Sequence, residues 1–151
     1  MTDTFTITRT LAAAPDLVWE AWTKPEHFAI WFGSDAIEVP LDTVTLDVRV
    51  GGKLSAVMLI PDGTRIDWTG EYTEVDRPNR LAFTLSDDPG QPAGVPIVAT
   101  FTAVDGGTEV SITQDRGTFD DAQVQATVDG YNQFFDSMER VVATLAAPPV
   151  E

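Results

Sequence analysis

Residues 118–145 constrain this chain more than any other stretch. Apolar side chains at Val124, Val128, Tyr131, Phe134, Phe135, Met138, Val141, Val142 and Leu145 recur at three- and four-residue steps, the pattern of an amphipathic helix. Asp120 stands where an N-cap belongs, with Gln123 three residues on as its reciprocal partner. Phe119 precedes the cap, placed to staple onto Val124, and Pro148 and Pro149 stop the helix at its far end. About 26 residues at 1.5 Å each reach roughly 39 Å. A helix that long with one apolar face needs a broad apolar partner, which the preceding residues must supply.

Those residues read mainly as strands. Phe5 and Ile7 alternate with Thr4, Thr6 and Thr8, a period of two that predicts a strand with one buried face, an edge or hairpin-like strand running to Leu11. Pro15-Asp16 opens a short helix through Val18, Trp19, Ala21 and Trp22, and Pro25-Glu26 opens a second, carrying Phe28, Trp31 and Phe32 to a stop at Gly33. From Val44 to Gln114 the period returns to two. Val44, Leu46, Val48 and Val50 alternate up to a bulge or tight bend at Gly51-Gly52, and Leu54, Ala56, Met58 and Ile60 continue the run. Turns are expected at 61–64, at 77–80 and at 105–107, with an exposed loop at 86–96. The strands between them carry Ile66, Trp68, Gly70 and Tyr72, then Leu81, Phe83 and Leu85, then Ile97, Ala99, Phe101 and Ala103, and last Val110 and Ile112. The expected architecture is α+β: a curved antiparallel β-sheet of six to seven strands wrapped around the long C-terminal helix, with two short helices after the first strand. Gly51, Gly52 and Gly70 sit where such a sheet would bend. A bent sheet cannot touch a straight helix along its whole length, so a cavity between the two is expected.

Composition narrows the function classes. At 151 residues, one domain is expected over residues 1–151, with a flexible tail at 146–151. Cysteine is absent, so disulfides, thiolate metal sites and cysteine nucleophiles are excluded. The longest apolar run, at 56–60, is too short to span a bilayer, and the N-terminus lacks a secretory pattern, so a soluble cytoplasmic protein without membrane insertion is expected. The net charge of −15 argues against nucleic acid as a partner, since that surface repels phosphates.

Several segments in order carry a resemblance: PDLVWEAW at 15–22, KPEHFAIWF at 24–32, DVRVGG at 47–52, GEYTEVDRPNRLAF at 70–83, GGTEVSITQ at 106–114 and GYNQFFDSMERV at 130–141. The set resembles the START-like (SRPBCC, helix-grip) superfamily. More narrowly, it resembles the branch of small bacterial proteins similar to the activator of Hsp90 ATPase. The resemblance implies a cavity for hydrophobic or aromatic molecules and no built-in cofactor. Two departures stand out: Gly130-Tyr131 where the family usually has glycine followed by tryptophan, and Gln114 where many relatives carry a histidine.

The residues expected to line a ligand site are Trp31, Phe32, Met58, Trp68, Phe101, Gln114, Tyr131, Phe134, Phe135 and Met138. Aromatic walls and adaptable methionines suit an apolar ligand, and Gln114 and Tyr131 supply polar handles. Gly130 within the helix costs about 1 kcal/mol relative to alanine, which close strand approach or room for a ligand would explain. Asp47, Arg49, Asp67 and Glu71 read as a cross-strand ion-pair network on the solvated face. His27, the only histidine, reads as a surface residue, and no metal site is expected, although Asp87 and Asp88 could hold a hard cation weakly. The leading expectation is a binding protein for a hydrophobic or aromatic small molecule. The alternatives are a cyclase- or hydrolase-type enzyme in the same cavity, with Tyr131 or an inward acid as the proton-transfer group, and a co-chaperone-like interaction domain with a chaperone partner. A homodimer is left open.

Overall fold

The structure, a computed structural model, describes residues 4–33, 37–86, 96–117 and 119–146. Thr118, most of the loop expected at 86–96 with Asp87 and Asp88, and the tail beyond Ala146 lie outside them. Strand β1 (Thr4–Leu11) is followed by helices α1 (Pro15–Thr23) and α2 (Pro25–Gly33), a 3₁₀ turn at Leu41–Thr43, and strands β2 (Thr45–Leu46), β3 (Lys53–Leu59), β4 (Arg65–Asp76), β5 (Arg80–Phe83), β6 (Ile97–Val104) and β7 (Gly107–Asp115). Helix α3 (Asp121–Ala146) closes the order. The seven strands form one antiparallel sheet in the order β1-β7-β6-β5-β4-β3-β2, and α3 lies across its concave side in the helix-grip arrangement.

The one buried face of β1, at the edge of the sheet, follows from its alternation. Thr6 and Thr8 face outward and pair by hydroxyl to Thr113 and Ser111 on β7, each at 3.0 Å, while Ile7 and Leu11 turn into the core. Helix α3 begins as its sequence indicates. The Asp120 amide donates to Gln123 Oε1 at 2.9 Å and the Gln123 amide donates to Asp120 Oδ1 at 2.8 Å, so two otherwise orphaned N–H groups satisfy each other's side chains.

One expected strand is much shorter than its alternation suggests. Pairing stops at Leu46, because the Asp47 amide donates to the Lys53 carbonyl and closes the hairpin there. The chain then turns tightly, Arg49 N–H to Asp47 O at 2.9 Å and Gly52 N–H to Arg49 O at 2.8 Å, with Gly51 at φ +85°. Val48 and Val50 therefore belong to a turn, and Val50 is 66% exposed. Gly51 is needed for its backbone conformation, which a side chain would strain.

The sheet bends at β4. This 12-residue strand pairs with β3 along its first half and with β5 along its second, with a register irregularity between Tyr72 and Glu74. Gly70 lies at the crossover, where an added Cβ would stand 1.9 Å from the Thr84 carbonyl oxygen. The bend thus depends on a backbone approach that only glycine permits.

The charged residues on the outer face form separate pairs and not the expected network. Lys53 and Glu71 are cross-strand partners at 2.7 Å, whereas Asp47–Arg49 and Asp67–Arg65 are local pairs two residues apart. All are substantially exposed, so each contributes little.

Candidate functional site

The bend in the sheet leaves a cavity of about 540 Å³ against α2 and α3. Helix α2 contributes Phe28, Trp31 and Phe32, three aromatic residues spaced three and four apart, so that one face carries all of them. Helix α3 contributes Thr127, Gly130, Tyr131 and Phe134, again at helical spacing. From the sheet come Leu54 and Met58 on β3, Trp68 on β4, Phe83 on β5, Ile97 on β6 and Gln114 on β7. Trp22, Leu85, Ser86 and Phe119 complete the wall among the described residues.

The aromatic side chains form a continuous array. Phe28 stacks on Phe32 at 4.6 Å between centroids and Phe32 on Phe134 at 5.5 Å. Trp31 meets Phe134 at 5.8 Å, Tyr131 meets it edge-on at 6.0 Å, and Trp68 meets Phe32 edge-on at 6.3 Å. Each contact falls in the range where ring quadrupoles add to simple burial. The array ties α2 to α3 through their aromatic faces and holds the wall in shape.

The structure thus brings seven of the ten residues singled out from the sequence to the cavity: Trp31, Phe32, Met58, Trp68, Gln114, Tyr131 and Phe134. Phe101, Phe135 and Met138 are placed elsewhere and correct the expectation. Phe101 packs against Trp19 and Trp22, under α1. Met138 accepts a hydrogen bond from Trp22 Nε1 at 3.2 Å, and Phe135 lies beneath the Arg9 guanidinium, 5.4 Å from its ring centroid. All three are sealed in the packed core. The physical reason is α1: it occupies the concave side next to β6 and β7, so α3 meets solid packing from Phe135 onward and open space only before it.

Gly130 is on the cavity side of α3, and a Cβ added there would meet nothing within 4 Å. Close strand approach is therefore not its explanation, and room beside the helix is. Trp22, Phe28, Leu54, Phe83, Leu85, Ser86, Ile97, Phe119 and Thr127 also line the cavity and were not singled out from the sequence. For Leu54 the signal was available, since it shares its parity with Met58 on β3. Phe83 and Ile97 are direct partners across β5 and β6, which only the register reveals.

No described lining residue carries a formal charge. The Tyr131 hydroxyl donates to Gln114 Oε1 at 2.5 Å, joining α3 to the end of β7. Burial pushes the Tyr131 phenol well above the ordinary value of 10.0, because phenolate would lose its hydration. Thr127 donates back to the Gln123 carbonyl at 2.9 Å, which leaves its hydroxyl occupied within the helix. The Trp68 indole N–H is buried and has no acceptor among the described residues. His27 lies at the start of α2, half-buried and away from the wall, and no group of three metal-ligating side chains occurs among the described residues.

The family model for activator of Hsp90 ATPase homolog 1-like proteins matches residues 12–143. The chain belongs to this family. Among solved structures, the activator-of-Hsp90-ATPase-like protein from Aeromonas hydrophila is 26% identical and superposes with a TM-score of 0.78, over 99% of this chain and 100% of that one. A protein from Nitrosomonas europaea superposes more closely, at a TM-score of 0.82 over 96% and 97% of the two chains, with 22% identity. One from Chromobacterium violaceum is 24% identical at 0.77, covering 92% and 96%. At these identities the likenesses to the last two establish the fold alone. No curated protein matches the chain. No described helix is long and apolar enough to cross a membrane.

Proposed function

We propose that this member of the activator-of-Hsp90-ATPase-like family binds a hydrophobic, largely aromatic small molecule between α3 and the curved sheet. One observation carries the reading: a cavity of about 540 Å³ in which nine of the seventeen described lining residues are aromatic. That volume lies within the range of small-molecule sites, which run from roughly 300 to 1,000 Å³. A molecule of about 14 non-hydrogen atoms, gaining about 0.4 kcal/mol per atom, would bind with a free energy near −6 kcal/mol, a Kd of some tens of micromolar. Binding is favoured over catalysis because the described lining offers no carboxylate or histidine, and the Tyr131 phenol, which keeps its proton well beyond neutral pH, supplies no base there.

The test is titration with uncharged hydrophobic fluorophores such as Nile red or N-phenyl-1-naphthylamine. Trp22, Trp31 and Trp68 line the cavity and Trp19 does not, so saturable binding should transfer energy from most of the tryptophan emission. A linear, unsaturable response with every probe would sink the reading.

A further inference from the structure

Gln114 brings unengaged donors to a cavity wall whose Tyr131 and Thr127 hydroxyls already donate elsewhere. Gln114 Oε1 is occupied by the Tyr131 hydroxyl, and the two hydrogens on Gln114 Nε2 have no acceptor among the described residues. The Trp68 indole N–H also lacks one, but it is sealed from the cavity space and is not open to a ligand. Amide and indole N–H groups are donors only. Asp115 Oδ1, the other buried side-chain atom without a partner, is not on a lining residue. A purely hydrocarbon ligand would cover the Gln114 amide without replacing its bonds to water, a loss it avoids only by offering an acceptor.

Charge limits the occupant further. No lysine, arginine or histidine is among the described lining residues, and the chain's net charge is −15. A carboxylate or phosphate in the cavity would be buried without a counter-ion in a repulsive field. An organic cation would gain from the aromatic faces and from the net charge of −15, but a quaternary one offers the Gln114 amide hydrogens no acceptor and leaves them unsatisfied.

We propose that the cavity selects an uncharged aromatic molecule bearing one hydrogen-bond acceptor, such as a ketone or quinone oxygen, which accepts from the Gln114 side-chain amide. This rests on the ligand site proposed above and specifies its chemistry. Tyr131 acts as the positioning residue: its hydroxyl holds the Gln114 oxygen and so directs the amide hydrogens to the ligand.

Four tricyclic aromatic probes of similar size test the proposal by calorimetric titration: fluorene, 9-fluorenone, fluorene-9-carboxylate and N-methylacridinium. The expected result is that 9-fluorenone binds about tenfold more tightly than fluorene, the difference one good hydrogen bond makes, and that both ions bind more weakly than the ketone. In the Gln114→Met/Tyr131→Phe double variant, which removes both partners together and orphans neither, the ketone preference, read as the ratio of the two affinities, should fall to about twofold or less. Equal binding of fluorene and fluorenone by the unaltered protein, or tighter binding of either ion, overturns the inference and leaves the aromatic ligand site standing. A ketone preference that survives in the double variant also overturns it, since the acceptor would then be held elsewhere. Failure of all four probes to bind overturns the ligand site itself. Should the double variant not fold, Gln114→Glu, which keeps an acceptor for the Tyr131 hydroxyl and removes the amide donor, is read in the same way: loss of the ketone preference is expected and its survival overturns the inference.

Discussion

Replacing Gly130 with alanine separates a cavity wall from a packed lid. In a close helix–sheet contact the new methyl would collide and destabilise; here it would meet nothing within 4 Å. What remains is helix propensity, which favours alanine over glycine inside a helix by about 0.8–1.0 kcal/mol, mainly through the entropy glycine gains on unfolding. Gly130 is the tenth of 26 residues in α3, far from either frayed end, so the full difference should apply. Gly130→Ala is therefore expected to stabilise the protein by about 1 kcal/mol, raising Tm by about 2–4 °C. In urea, with a slope of about 1–3 kcal/mol per molar, the midpoint should rise by about 0.3–1 M at unchanged slope. Gly70→Ala is the control of opposite sign. Its Cβ would stand 1.9 Å from a carbonyl oxygen of the neighbouring chain segment, and forcing that segment away should cost more than about 3 kcal/mol. A destabilised Gly130→Ala would refute the argument, because it would mean that the sheet closes on the helix where open space is drawn.

Three further substitutions and one titration follow from the same geometry. Phe135→Ala should cost about 3–5 kcal/mol in chemical denaturation, because the side chain is fully buried, and leave probe affinity unchanged. Phe134→Ala, on the cavity wall, should cost less stability and weaken probe binding by tenfold or more; equal effects of the two on affinity would contradict the division between wall and core. Asp120→Ala should lower stability by about 1 kcal/mol through loss of the cap, read from the same denaturation curves, with no change in binding. The two tyrosines of the chain, Tyr72 and Tyr131, both hold their phenols above the ordinary 10.0, through burial and, for Tyr72, additionally through Asp47. Their folded pKa values are raised, so this contribution to stability is fully present below pH 10 and declines as pH rises past it, when the unfolded chain ionises first. Phenolate absorbance that appears at pH 10 with the protein still folded would rule this out.

How much was legible depended on whether a signal was local. The cap at Asp120 and Gln123, the paired prolines that open α1 and α2, and the alternation of β1, β6 and β7 each lie within a few residues, and the structure keeps all of them. The run from Val44 to Val50 failed for the complementary reason. Alternation of valines is necessary for a strand and not sufficient, and the Asp47-to-Lys53 bond that ends it is a pairing between segments which no periodicity encodes. The same limit explains the site. Phe134 and Phe135 are adjacent aromatic residues on one apolar stripe, and nothing local says which of them faces open space. That depends on where α1 sits beneath β6 and β7, a tertiary fact carried by Trp22, whose ring meets Phe101 at 5.5 Å and whose N–H reaches Met138.

Trp22 therefore belongs to both regions at once. One part of its surroundings is the sealed cluster of Phe101 and Met138, and another is the cavity, where it meets Trp31 at 4.8 Å between centroids. Trp31 is itself fixed, its N–H donating to the Ala21 carbonyl at 2.7 Å. With both indole nitrogens engaged, these rings form a rigid floor. The Trp68 ring, which meets Phe32, has no such bond, and its nitrogen is sealed from the cavity. A ligand entering the cavity would thus find one wall pre-organised and, at Gln114, a donor still to satisfy, which is why affinity should come from α1 and α2, and selectivity from the end of β7. Trp31→Phe should accordingly lower affinity for 9-fluorenone and fluorene by similar factors, since it alters the shared aromatic wall. Replacing Gln114 should change the ratio between them. Measured on the same pair of probes, a ratio that shifts with Trp31 and not with Gln114 would reverse the assignment of the two walls.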